Sequence, residues 1–304
     1  ARTATTAGIR TNAAAVEIID NIIALSSSCK NYIIHRFGIK NNDKIKVVFN
    51  SVTDNPDSAA KRQAKMTAEK IKIVFAGGSA ASKSPDVVVP IVNELCKSNL
   101  PFEFYWLGIT TPPLKKFQPF KDIRLILPND ERVIVTGLIP QQQAAEIIAS
   151  CNVFLAPSRR EGFPMALLEA MRIGCIPIVS DFRIANQEII RDGINGFIIS
   201  HKDIKSFVDR LSDIIENHAN YKNVYEASYK TFVEELSFPV WRKCIYSIIS
   251  RGALYHKQRR VMKKYAYKAV VNRFKLLDKY NLIENYMTEV LPCAIKFYKY
   301  YKNK

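Results

Sequence analysis

Residues 151–169 read CNVFLAPSRREGFPMALLE. A continuous apolar run ends in Pro-Ser, two arginines follow, and Glu161 and Glu169 bracket a Gly-Phe-Pro turn and the first turns of a helix. NVFLAP predicts a strand buried on both faces, because it lacks the period-2 alternation of a half-exposed one. Ser158 to Gly162 is then its carboxyl-end loop. Pro164 suits the first position of a helix running to about Ile173. The backbone N–H groups from Met165 through Leu167 would lack intrahelical partners and, with the helix dipole, suit a phosphate. Carboxylates beside a phosphate make sense if each accepts hydrogen bonds from hydroxyls flanking the charge. A sugar–diphosphate–ribose ligand has hydroxyls on both sides, which describes a nucleotide-sugar. The bland alternative is a helix start with two solvated glutamates.

Working outward, short apolar runs alternate with amphipathic stretches from residue 71 onward. IKIVFAG, FEFYWLG, RVIVTG, NVFLAP, CIPIVS and GFIIS read as strands. Between and after them SPDVVVPIVNELCKS, QQQAAEIIAS, the stretch from Pro164, residues near 184–191 and the segment from Asp203 read as helices. Ser84 is expected to cap the first of these, with Pro85 at its first position. Gly77, Gly78, Gly108, Gly137, Gly162 and Gly174 sit where one element hands over to the next. This is an α/β, Rossmann-like layout: a parallel sheet with helices on both faces and a ligand site at the carboxyl ends of the strands. Residues 1–70 read as a separate piece, with two strand-like runs, NIIALSS and KIKVVFNS, joined by the helical CKNYIIHRF. The polar KRQAKMTAEK would connect it to the main domain, 71–250. Two strands are marginal alone, so they either pair with a domain lying before Ala1 or dock on the one that follows.

The 304 residues are 48% hydrophobic, enough for a real core, and no apolar run approaches the ~20 residues of a membrane span. Six scattered cysteines without a C-x-x-C pair read as unpaired core thiols of a cytoplasmic protein, and the four isolated histidines suggest no chemistry. The net charge of +17 is lopsided. Residues 251–304 hold fourteen Lys and Arg against three acids, a net +11, mixed with eight of the fourteen tyrosines. This helical extension would pack on the domain with its cations in water, or lie on an anionic membrane surface, in preference to nucleic acid.

The stretch PSRREGFPMALLEAMRIGCIPIVSD resembles the signature of the retaining glycosyltransferases of group 1, which have the GT-B fold, including their E-x7-E pair. The likeness extends through VTGLIPQQQAAEIIASCNVFLAPS, RDGINGF and SFPVWRKCIYSII, and upstream to IIALSSSCKNYIIHRFGI and KIKVVFNSV, roughly residues 20–250. The resemblance implies that Glu161 touches the transferred sugar and Glu169 the ribose hydroxyls. N–H groups around Gly162, Phe163, Pro164, Met165 and Ala166 would hold the distal phosphate and sugar. In FAGGSAASK, Gly77 and Lys83 match the family's diphosphate grip, whereas Gly78 stands where the family has Arg. Arg159 and Arg160 could supply charge from another side, or be a solvated loop pair. Leu138 and Ile139 match the place where the backbone meets the nucleobase. Phe182-Arg183 replaces the family's usual Gly-Gly.

By that resemblance the donor is a nucleotide-diphosphate-sugar, the acceptor a glycan or lipid-linked glycan, and no metal or further cofactor is required. The acceptor half of the fold would lie in residues preceding Ala1, which leaves this chain mainly the donor-binding half of a cytoplasmic enzyme, peripheral on the inner membrane face. No D-x-D triplet occurs. Two alternatives stand beside this: a non-catalytic nucleotide-sugar-binding or scaffold protein whose basic tail binds a membrane or nucleic acid, and a nucleotide triphosphatase. For the latter, GGSAASKS misses the phosphate-loop pattern because Ser82 replaces its second glycine, and Ser84-Pro85 restarts a helix after the lysine.

Overall fold

The computed structural model describes residues 21–39, 42–53, 61–63, 65, 67–109, 126–159, 161, 163–181 and 186–256, with side chains to 248. The extension from 257, with Arg160, Gly162 and Phe182-Arg183, lies outside the described residues. In chain order the first elements are β1 (Ile22–Ala24), α1 (Ser27–Phe37), β2 (Ile45–Val47), β3 (Ile71–Phe75), α2 (Pro85–Cys96), β4 (Phe102–Trp106) and β5 (Val133–Val135). Then come α3 (Gln141–Ser150), β6 (Val153–Ala156), α4 (Met165–Met171), β7 (Ile176–Ser180), α5 (Asn186–Ile189) and β8 (Phe197–Ile199). Three further helices finish the described chain: α6 (Ile204–Glu216), α7 (Lys222–Thr231) and α8 (Phe238–His256).

Strands β3 to β8 form a six-stranded, all-parallel sheet in the order β5-β4-β3-β6-β7-β8. Their continuous apolar character follows from side chains that alternate between two buried faces. On one face Ile73, Phe75, Phe104, Leu155 and Ile178 pack with Val88, Ile91 and Leu95 of α2 and Phe207 and Leu211 of α6. On the other, Val74, Phe154 and Val179 pack with Ile148 of α3 and Leu167, Leu168 and Met171 of α4. The amphipathic spacing of α6 (Phe207, Leu211, Ile214 and Ile215 all buried) lays one stripe on the sheet, and Asp203 caps the helix by accepting the Ser206 N–H. Among the described residues no helix is long and apolar enough to cross a membrane.

The described residues from 21 to 53 show how two marginal strands persist. β1 and β2 pair in parallel, Ile22 opposite Ile45, with α1 crossing between them. Ser26 caps α1 by accepting the Cys29 N–H at 3.0 Å, and Gly38 ends it at φ 60°. The exposed N–H groups of Ser27 and Ser28 donate to the Glu188 carboxylate of α5, at 2.8 and 3.2 Å. Phe49, just after β2, stacks on Phe163 with ring centroids 5.6 Å apart. Residues 21–247 accordingly form one compact unit. Within the expected polar connection, Lys65 is buried; its ammonium donates to the Cys151 carbonyl and lies 3.1 Å from Cys175 Sγ.

Candidate functional site

In this strand order β3 connects onward to β4 on one side while β6 connects to β7 on the other. The crevice at their carboxyl ends is therefore the topological switch point, where ligands bind in open α/β sheets. Lys83 lies after β3 and Glu161 after β6, and across that crevice the Lys83 ammonium pairs with Glu161 Oε1. The pair is mostly shielded, with Glu161 only 11% exposed at its side chain. Ser158 Oγ donates to the same carboxylate oxygen at 2.9 Å, and Ser180 Oγ, from the end of β7, donates to the Ser158 carbonyl at 2.7 Å. Three neighbouring strand ends thus fix one carboxylate.

The loop that carries Lys83 is tied down on its other flank. Arg159 N–H donates to the Ser82 carbonyl at 2.9 Å, and the Arg159 guanidinium forks onto Asp86 in the first turn of α2. The charge expected to approach the ligand from Arg159 is therefore already paired. Gly77 leaves room for Lys83: a Cβ there would sit 2.9 Å from Lys83 Cβ and 2.2 Å from the Phe75 ring. Gly78 has φ +54°, and an added Cβ would lie 2.6 Å from the Gly108 carbonyl oxygen. Its N–H donates to Leu107 O at 3.0 Å, and its carbonyl accepts the Trp106 indole N–H at 2.9 Å. The missing arginine has a physical reason: the β3 and β4 loops touch backbone to backbone here, and no side chain fits.

Pro164 is the cap of α4, at φ −82° and ψ 95°, not its first helical residue, and the helix ends at Met171. Its carbonyl accepts the Leu167 N–H at 3.1 Å, so the helix-start N–H groups without an intrahelical partner are, among the described residues, those of Met165 and Ala166, without Leu167. Met165 is exposed and Ala166 half-buried, while the Phe163 and Pro164 side chains are buried. Glu169 is half-buried on the same helix, and burial pushes its carboxyl above the usual range, a rise that nearby Arg172 opposes. After β5, Leu138 projects with 77% exposure and Ile139 packs against the α3–α4 side of the core.

Two residues that the sequence did not single out for chemistry also stand here. Ser84 directly follows Lys83 as cap of α2, but its side chain makes no cap hydrogen bond. Its Oγ meets His201 Nε2 at 2.8 Å instead. The His201 backbone N–H donates to Asp181 Oδ1 at 2.9 Å. Burial, then the Arg159 guanidinium, holds this imidazole below the usual histidine range. Nothing local marks a histidine 117 residues from its partner.

A sequence model of the family described as glycosyl transferases group 1 matches residues 57–231, more than half of the chain. The chain belongs to that family. The Salmonella typhimurium lipopolysaccharide 1,6-galactosyltransferase is 30% identical over 125 residues, 40% of this chain and 35% of that one. The phosphatidylinositol N-acetylglucosaminyltransferase GPI3 subunit of Saccharomyces cerevisiae is 28% identical over 158 residues, 50% of this chain and 33% of its own. The fold matches that of a mutant S. aureus TarM in complex with fondaparinux, alpha-GlcNAc-glycerol and UDP. The TM-score is 0.63 at 17% identity, over 78% of this chain and 44% of that one. The chain thus spans about a third of the length of these two curated relatives. The family agrees with the resemblance, and the parallel sheet with helices on both faces agrees with the alternation of apolar runs and amphipathic stretches.

Proposed function

We propose that this chain binds a nucleotide-diphosphate-sugar in the β3–β6 crevice and forms the donor side of a retaining glycosyltransferase. The observation that carries this is the Lys83–Glu161 pair at the switch point: a cation beside a carboxylate already fixed by Ser158. The diphosphate would take the Lys83 ammonium and the helix-start N–H groups of Met165 and Ala166. Glu161 would then turn to the hydroxyls of the transferred sugar, and Glu169 would receive those of the ribose. Leu138, apolar and projecting beside Ile139, offers a face for the base.

In this reading the bond from the sugar's anomeric carbon to the diphosphate oxygen breaks while an acceptor hydroxyl attacks the same face and passes its proton to the departing diphosphate oxygen. Glu161 orients the sugar and stabilises developing positive charge, and Lys83 stabilises the departing diphosphate, the role for which a metal is often used. The absence of a D-x-D triplet supports metal independence. The printed names of two relatives, on lipopolysaccharide and on phosphatidylinositol, favour a glycan or lipid-linked acceptor. Titration calorimetry with UDP, GDP and ADP, and with their sugar conjugates, in EDTA and then in Mg²⁺, tests the proposal. Micromolar binding in EDTA supports it; no binding, or binding that requires Mg²⁺, overturns it.

A further inference from the structure

Ser84 is the sole non-glycine residue with positive φ among the described residues, at φ 61° and ψ 55°. L-residues with side chains avoid this left-handed region. The position is a joint. Ser84 N–H closes the 3-10 turn of Ala81–Lys83 onto Ala81 O at 3.3 Å, and its carbonyl accepts the first helical N–H groups of α2, from Val87 and Val88 at 3.0 and 3.2 Å. Its backbone angles therefore set the direction in which the adjoining Lys83 leaves the turn.

A serine before a proline has a more comfortable conformation. Pro85 disfavours right-handed helical angles at Ser84 and favours extended ones. Extended angles are also those from which a serine caps a helix through its own side chain. In that competing state Ser84 Oγ would turn to the N–H groups of Asp86 or Val87. The structure shows the other state: Ser84 is fully buried, gives up the side-chain cap, and meets His201 Nε2 at 2.8 Å. The chain at His201 is anchored by its backbone N–H, which donates to Asp181 Oδ1 just beyond the end of β7.

We infer that His201 is a positioning residue: its bond to Ser84 selects the left-handed joint over the ordinary serine cap, and so aims Lys83 at Glu161. The inference rests on the donor-site reading for what Lys83 binds, but not for how Lys83 is held. A glycine separates the two, since it adopts the left-handed angles freely and has no Oγ with which to cap. With Ser84→Gly, His201 becomes dispensable.

The test is a four-protein cycle on the full chain: wild type, His201→Ala, Ser84→Gly and the double variant. Acylation of Lys83 by an amine-reactive ester, measured by mass spectrometry, reports the Lys83–Glu161 pair without any nucleotide. His201→Ala should raise Lys83 labelling roughly tenfold, a mid-range coupling for contacting residues. Ser84→Gly and the double variant should both stay near the wild-type rate. Should His201→Ala fail to fold by circular dichroism, a folded double variant with protected Lys83 still supports the inference, as does protection in His201→Gln. An equal rise in both backgrounds, no rise in either, or unfolding of both His201→Ala proteins would overturn it. UDP and GDP affinities on the same proteins should follow the labelling. A wild type that binds neither nucleotide defeats the donor-site reading and leaves the labelling cycle to decide the role of His201.

Discussion

Lys83 and Glu161, 78 residues apart, form an ion pair that bridges the ends of the two strands flanking the switch point. The cation that would grip a diphosphate is neutralised by the carboxylate that would orient the sugar. A ligand that brings both groups replaces both halves of that pair at once. Lys83→Ala removes a charged hydrogen bond of the kind that contributes about 1.5–3 kcal/mol. It should weaken UDP or GDP binding roughly ten- to a hundredfold in calorimetry. Unchanged affinity would remove Lys83 from the site.

The two glutamates should respond differently. Glu161→Gln releases Lys83 from its partner, so bare nucleotide binding should hold or tighten while sugar transfer by a complete enzyme falls. Glu169→Gln should weaken the bare nucleotide, because the ribose hydroxyls lose an ionised acceptor. Equal losses of UDP or GDP affinity in both variants would dissolve the assigned roles.

Glu169 also predicts a pH effect of definite sign. Burial raises its carboxyl pKa in the fold, so ionisation is disfavoured there relative to the unfolded chain. Its burden is absent below the ordinary glutamate pKa of about 4.3 and is fully felt once the pH exceeds the raised folded value. Glu169→Gln should therefore melt higher than wild type near neutral pH and match it in acid, even as nucleotide binding suffers. A melting difference that is constant across pH would mean that this carboxyl is not strained.

Restoring the family's arginine at Gly78 should fail. The left-handed φ alone costs a side chain on the order of 1–2 kcal/mol, and the clash with the Gly108 carbonyl oxygen adds to it. Gly78→Arg should lower the melting temperature and should not tighten nucleotide binding. Tighter binding without loss of stability would show that the two loops can part.

The basic extension makes a separate prediction. With a net +11 over residues 251–304, the chain should bind vesicles containing phosphatidylserine, and release them as salt rises. Truncation at residue 256 should abolish that binding while sparing nucleotide affinity. Tighter binding to duplex DNA than to such vesicles would reverse the preference.

The sequence by itself determined the layering and pointed to one strand end. Unbroken apolar runs such as IKIVF and VFLA state that both faces of the strands are covered, and the E-x7-E stretch marks the strand end to inspect. These are local properties, set by side-chain alternation and by the helix-start chemistry of a few adjacent residues. Tertiary structure alone decided the partners. It paired Lys83 with Glu161 and Arg159 with Asp86, pressed Gly78 against Gly108, and brought His201 to Ser84. Each of these contacts joins segments that follow different strands, and strand order, which no spacing in the chain encodes, decides which segments meet. The serine at 84 carried a local signal for a helix cap, and the local signal was half right. It stands at the cap position, but its backbone is left-handed and its hydroxyl meets a distant imidazole.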